Sequence, residues 1–149
     1  MTIYNRILLI AFLSWVGSVL IKAVINLIIN KKFIWKLFFS DGGMPSNHSA
    51  AVTSTATAVA LQCGMDSPVF AVSVILALIV MHDATGVRQE TGKQAKVINN
   101  MVKLLDSMGR GELTPEETLK EFVGHTGRQV MVGALWGIVS ALALNAILP

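Results

Sequence analysis

Residues 7–29 are apolar almost throughout, broken only by Lys22, Asn26 and a few small polar side chains. About 20 such residues suffice for a helix to cross the hydrocarbon core of a bilayer, so the run predicts a membrane span. Arg6 just ahead of it gives a likeness to a signal peptide. The run is too long for one and lacks a clear small-residue cleavage site, so it is read as a retained span. Three further candidates follow. Residues 49–65 are rich in Ala, Val, Thr and Ser, residues 69–81 are strongly apolar, and residues 129–148 carry Gly133, Gly137 and Ala141 at four-residue spacing. Small residues at that spacing let helices approach closely in lipid, and the Gly133/Gly137 face is a candidate for self-association into a homo-oligomer. Composition agrees. The 149 residues are 53% apolar and only 14% charged, against roughly 25% charged in soluble domains. Gly at 12, Pro at 4 and the lack of a heptad run exclude collagen, disorder and coiled coil. The expected fold is all-α: a single membrane domain over residues 1–149, an integral helical bundle of about four transmembrane helices plus an interfacial amphipathic helix.

The second and third candidates are separated by Gln62-Cys63-Gly64-Met65-Asp66-Ser67-Pro68. Gly64 suits a helix C-cap and Pro68 the first turn of the next helix, which predicts a tight helical hairpin. Neither arm is a perfect span alone, so burial inside a bundle is expected. Between Asp83 and Arg128 the chain turns polar, with seven basic and seven acidic residues. There Val97, Met101, Leu104, Leu105 and Met108 recur at helical spacing, the pattern of an amphipathic helix lying at the membrane interface. Thr114-Pro115-Glu116-Glu117 reads as the start of a short helix ending near Gly124. The lone Cys63 cannot form an internal disulfide and leaves the compartment unread.

Four spans would put Arg6 alone on one side. The other side would hold Lys31, Lys32, Lys36, Arg88, Lys93, Lys96, Lys103, Arg110, Lys120 and Arg128, ten against one. The positive-inside rule assigns the basic side to the cytoplasm of a multi-pass protein in the cell membrane. It also accounts for the net charge of +3 without a nucleic-acid partner.

All three histidines fall on the basic side. Lys22 lies about eight residues before the end of its helix, roughly 12 Å deep at 1.5 Å per residue. It either snorkels to the interface or serves a functional site, as intramembrane ionisable residues commonly do. In Gly42-Gly43-Met44-Pro45-Ser46-Asn47-His48-Ser49, Ser46 or Asn47 can cap the following helix, leaving His48 in or near its first turn. Such a terminus is an anion site, and a histidine there can protonate a leaving oxygen. The plainer reading is an ordinary cap beside an exposed histidine. Asp83 and Arg88 close the third run. Arg88 suits phosphate oxygens, and Asp83 either orients a histidine or pairs with Arg88; His82 reads as interfacial. His125 and Gln129, four residues apart, share a face if one helix includes both. His125 is then a candidate nucleophile, with a polar helix start as the alternative. No close ligand-pair spacing such as H-x-x-x-H appears, so no metal or other cofactor is expected.

Taken together, Gly42-Gly43-Met44-Pro45-Ser46-Asn47-His48-Ser49-Ala50, Asp83-Ala84-Thr85-Gly86-Val87-Arg88 and Gly124-His125-Thr126 resemble a divergent branch of the type 2 phosphatidic acid phosphatase and vanadium haloperoxidase superfamily. The resemblance covers residues 22–137. It implies an all-helical membrane phosphatase working without metal through a phosphohistidine. On that resemblance His125 is the nucleophile and His48 the acid for the leaving group. Lys22 and Arg88 grip phosphate, with Ser46 and Asn47 adding donors and Arg128 a further charge. Gln129 stands where the family has an aspartate, which makes Asp83 a candidate for that carboxylate role. The implied substrate is a lipid phosphate with a monoester or diphosphate head group; phosphatidylglycerophosphate, phosphatidic acid and isoprenoid phosphates qualify. Two alternatives belong to other classes: a non-catalytic lipid-phosphate binder or transporter that keeps the anion site, and a purely structural membrane subunit.

Overall fold

The computed structural model describes residues 5–31, 43–108, 119 and 124–148. Five helices make up this part of the chain: α1 (Arg6–Asn30), α2 (Asn47–Cys63), α3 (Pro68–Thr85), α4 (Val87–Ser107) and α5 (Gly127–Ile147). No strand occurs among the described residues. The short helix expected from Thr114 lies outside them.

The helix ends follow local chemistry. Asn5 caps α1 by accepting from the Ile7 and Leu8 N–H groups. Ser46 caps α2, and Gly64, at φ +87, ends it. Ser67 caps α3 with Pro68 in its first turn. The hairpin between α2 and α3 therefore forms where Gly64 and Pro68 predict it.

Among the described residues, three stretches are long and apolar enough to cross a membrane: Arg6–Ile29, Pro68–Leu105 and Gly127–Ile147. The expected fourth, α2, does not qualify by length and composition. It has 17 residues, many of them Ala, Ser and Thr. Instead it lies between the others and packs against α1, α3 and α5. Most of its buried residues are small or hydroxylated (Ser49, Ala50, Thr53, Ser54, Ala58 among them), whereas Leu8, Phe12, Leu20, Ile75, Ile79 and Leu135 lie exposed on the outside of the bundle. This distribution suits a solvent of lipid tails, where close backbone approach and interhelical hydrogen bonds hold helices together. The Ser14 and Ser140 hydroxyls meet at 2.6 Å, the Trp136 indole N–H donates to the Ser14 carbonyl at 3.0 Å, and Thr53 Oγ1 donates to the Ala134 carbonyl at 3.1 Å.

Gly133 and Gly137 face inward. A β-carbon on Gly133 would collide with the Ser46 carbonyl oxygen. One on Gly137 would collide with Thr53 Oγ1 and come within 2.5 Å of the Ala50 carbonyl oxygen. The glycine face expected to support self-association is consumed by α2, because only a surface without side chains lets two helix backbones come this close. Beyond Gly86, α4 is amphipathic as expected. Val97, Met101, Leu104, Leu105 and Met108 are exposed, while Gly92, Ala95 and Asn99 turn the other way and are buried.

Candidate active site

One end of the bundle gathers the second half of α1, the start of α2, the junction of α3 with α4, and the start of α5. The Ser18 hydroxyl of α1 donates to Asn47 Oδ1, in the first turn of α2, at 3.1 Å. Ser18 lies 12 residues before the end of α1, so α2 begins about 18 Å below that end, measured along the helix. The Ser46 N–H donates to the Gln129 carbonyl at 3.1 Å, and Ser46 lies against Gly133, six residues into α5, about 9 Å from its start. The short central helix thus starts in a recess between two longer neighbours.

That recess explains Lys22. It is 3% exposed, one turn beyond Ser18 on the same face of α1, and its aliphatic stem runs beneath Gly43, whose φ is +94. A β-carbon there would sit 3.5 Å from Lys22 Cδ. A simply snorkelling lysine would expose its stem to lipid and its ammonium to water; Lys22 is instead enclosed where α2 begins.

At the same end the His48 and His125 rings approach edge to face, with centroids 6.5 Å apart and planes at 82°. His48 is exposed and His125 is 2% exposed. Two backbone features fix His125. Its N–H donates to the Ala84 carbonyl near the end of α3 at 3.0 Å, and the preceding Gly124, at φ +92, lies against the start of α4. A β-carbon on Gly124 would stand 2.6 Å from the Gln89 nitrogen and 2.9 Å from the Arg88 carbonyl carbon. Only glycine fits both the left-handed backbone and the contact. Two histidines 77 positions apart in sequence therefore face each other at one end of the bundle.

One expectation needs correction. His125 and Gln129 do not share a helix face, because His125 precedes the N-cap Thr126 and lies outside α5. The Gln129 side chain is engaged elsewhere. Its Oε1 accepts from the Thr126 N–H at 2.9 Å while Thr126 Oγ1 accepts from the Gln129 N–H, a capping box that turns the amide back on the helix start. Asp83 pairs with Arg88, Oδ2 to Nε at 2.8 Å, both about two-fifths exposed. Of the helix-cap alternatives, Ser46 is the cap and Asn47 the first helical residue. Arg128 is exposed in the first turn of α5.

Sequence reading passed over Ser18 and Ser49. Both are fully buried, and the Ser49 hydroxyl donates to Ser46 Oγ at 3.0 Å, steadying the cap. The signal for Ser18 was present: Ser14, Ser18, Lys22 and Asn26 recur every four residues along an apolar helix, which marks one polar face. Among the described residues, no three His, Cys, Asp or Glu side chains are grouped so as to hold a metal ion.

A family model described as the Divergent PAP2 family matches residues 3–140, nearly the whole chain. The chain belongs to the Divergent PAP2 family. It is also 43% identical over 148 residues, covering 94% of each chain, to the uncharacterized membrane protein YuiD of Bacillus subtilis (strain 168). No solved structure matches it. For this Divergent PAP2 protein, family and helical architecture agree on a membrane protein with apolar spanning helices.

Proposed function

We propose that this protein is a lipid phosphate phosphatase that hydrolyses a phosphomonoester or diphosphate head group through a phosphohistidine on His125. The observation that carries the reading is the pairing of His48 with His125, ring centroids 6.5 Å apart, at the end of the bundle where Lys22 is buried beneath Gly43. In-line transfer needs a nucleophile about 3 Å from phosphorus and an acid about 3 Å from the leaving oxygen on the far side. Two rings roughly 6–8 Å apart can flank such a group.

Neutral His125 attacks phosphorus with a ring nitrogen lone pair, forming the N–P bond as the P–O bond to the lipid breaks. His48 gives its proton to the departing lipid oxygen. Water then attacks the phosphohistidine, His48 takes the water's proton, and the N–P bond breaks to release inorganic phosphate. Lys22 and Arg88 neutralise the non-bridging oxygens, Ser46 and Asn47 offer N–H and side-chain donors at the α2 terminus, and Arg128 adds charge at the rim. Phosphoryl transfer relies mainly on positioning and charge stabilisation, which suits a site assembled from helix ends. Asp83 fits a positioning role, holding Arg88 through the 2.8 Å ion pair.

The reading places the protein in the cell membrane with the site on the cytoplasmic side. Lys31, Arg88, Lys93, Lys96, Lys103 and Arg128 belong to the helix ends and the α4 segment on the site's side, while Arg6 starts α1 at the other. Phosphatidylglycerophosphate is the substrate we favour, as a lipid phosphate handled on the cytoplasmic leaflet. One observation favours a binder or transporter instead: Gln129, at the position of the expected carboxylate, is committed to the capping box. Phosphate release from lipid phosphates by the purified protein decides between them. Wild type should release phosphate, His125→Ala should release none, and His48→Ala should be slower by about 10²–10⁴-fold. Equal release by wild type and His125→Ala would overturn the enzyme reading.

A further inference from the structure

A groove of about 340 Å³ runs between α2 and α3 on the bundle's flank, with Ile138 of α5 also lining it. Its walls are Ala56 and Ala60 on one side and Phe70, Ala77 and Met81 on the other, and among the described residues that line it none is ionisable. It follows α3 from Met81 to Phe70, 11 residues or about 16 Å. That is close to half of a roughly 30 Å hydrocarbon core, the depth of one leaflet. Its upper end adjoins the histidine site: Met81 is three residues before Ala84, whose carbonyl holds the His125 N–H at 3.0 Å. Across the groove, Thr53, which donates to the Ser49 carbonyl at 2.7 Å, lines the same end.

An apolar groove cannot hold water stably, and left empty it forfeits the dispersion contacts of its whole lining. On the flank of a bundle whose outer helices face lipid, the material at hand to fill it is a hydrocarbon chain. We propose that this groove seats one chain of the lipid whose phosphate lies between His48 and His125, and that the substrate is therefore a long-chain lipid phosphate drawn from the leaflet on the site's side. The inference rests on the phosphatase reading for the identity of the head group. Phe70 lines the groove's lower end, and a length of about one leaflet matches a single chain. Because the chain comes from lipid, its preference for the groove rests on close fit to the lining and not on transfer from water.

The test uses hexadecyl phosphate in mixed micelles and butyl phosphate in solution, which share the reacting group and differ in chain. Ala77→Trp and Ala56→Phe fill the groove from opposite walls. The expected result is a fall of about tenfold or more in the ratio of kcat/KM for the long over the short substrate. A ratio that does not move in either variant overturns the inference. A hexadecyl phosphate with a mid-chain diazirine, photolysed on wild-type protein, should label α2 and α3 peptides. Labelling of these peptides by a protein that hydrolyses neither substrate would leave the groove standing and remove the phosphatase reading. Hydrolysis of both substrates with labelling on other helices, or a crosslink between two copies through this groove, would do the reverse.

Discussion

Replacing Gly133 by alanine tests whether the close approach of α5 to the start of α2 sets the site. The new β-carbon would stand about 1 Å inside van der Waals distance of the Ser46 carbonyl oxygen, and also 3.0 Å from the Ser46 nitrogen and 3.1 Å from its Cβ. These are backbone atoms and a cap, with no flexible side-chain end to swing away, so α5 and the α2 terminus must separate. The bond from the Ser46 N–H to the Gln129 carbonyl, 3.1 Å long, would be stretched beyond hydrogen-bonding range by such a shift. Overpacking of this kind costs about 1–3 kcal/mol, and a 1 Å displacement of positioning groups costs on the order of 10²-fold in rate. Gly127→Ala is the control, since a β-carbon there meets nothing within 4 Å. Thermal unfolding in bilayer nanodiscs and phosphate release should both separate the variants, with Gly133→Ala impaired in each and Gly127→Ala close to wild type. If Gly133→Ala unfolds and turns over like the control, the packing of glycine against Ser46 does not hold the site together.

Vanadate, an imitation of pentacoordinate phosphorus, should inhibit phosphate release, and Lys22→Met should weaken that inhibition at least tenfold by removing a buried cation; indifference to vanadate combined with a requirement for a divalent metal would overturn the histidine mechanism. The rate should be bell-shaped in pH, because His125 must be neutral to attack and His48 protonated to donate. Falling pH protonates His125 and lowers the rate, rising pH deprotonates His48 and lowers it again, and His48→Ala should lose the alkaline limb; a rate profile for that variant parallel to wild type would exclude His48 as the acid. Cys63 is exposed at the end of α2, away from the histidines, so a membrane-impermeant maleimide should label it in intact cells. Gln89→Cys in a Cys63→Ser background should be labelled only after permeabilisation, and the opposite pattern would reverse the sidedness.

Much of the local structure was legible because it depends on neighbours in sequence. Gly64 and Pro68 mark the hairpin, and the spacing of Val97, Met101, Leu104 and Met108 gives α4 its apolar face. What Gln129 does was not legible. Its spacing from His125 invites a shared helix face, but a Thr three residues ahead of it competes for the same amide, and the capping box wins because it satisfies exposed helix-end donors. The glycines of α5 are likewise ambiguous in sequence. Small residues at four-residue spacing promise a close helix contact without saying whether the partner is a second copy or another part of the same chain.

The order of apolar runs, polar breaks and turn residues determined that this chain is a helical membrane protein. That much follows from transfer free energy and backbone preference, which act residue by residue. Only the tertiary structure decided that α2, too short and too polar to be a span by the same measure as its neighbours, lies among them and starts about 18 Å below the end of α1. That offset encloses Lys22 and, with the Ala84 carbonyl and Gly124 fixing the backbone, brings His125 to His48. It arises from packing of small surfaces between segments distant in sequence, and no local pattern encodes a distance of that kind.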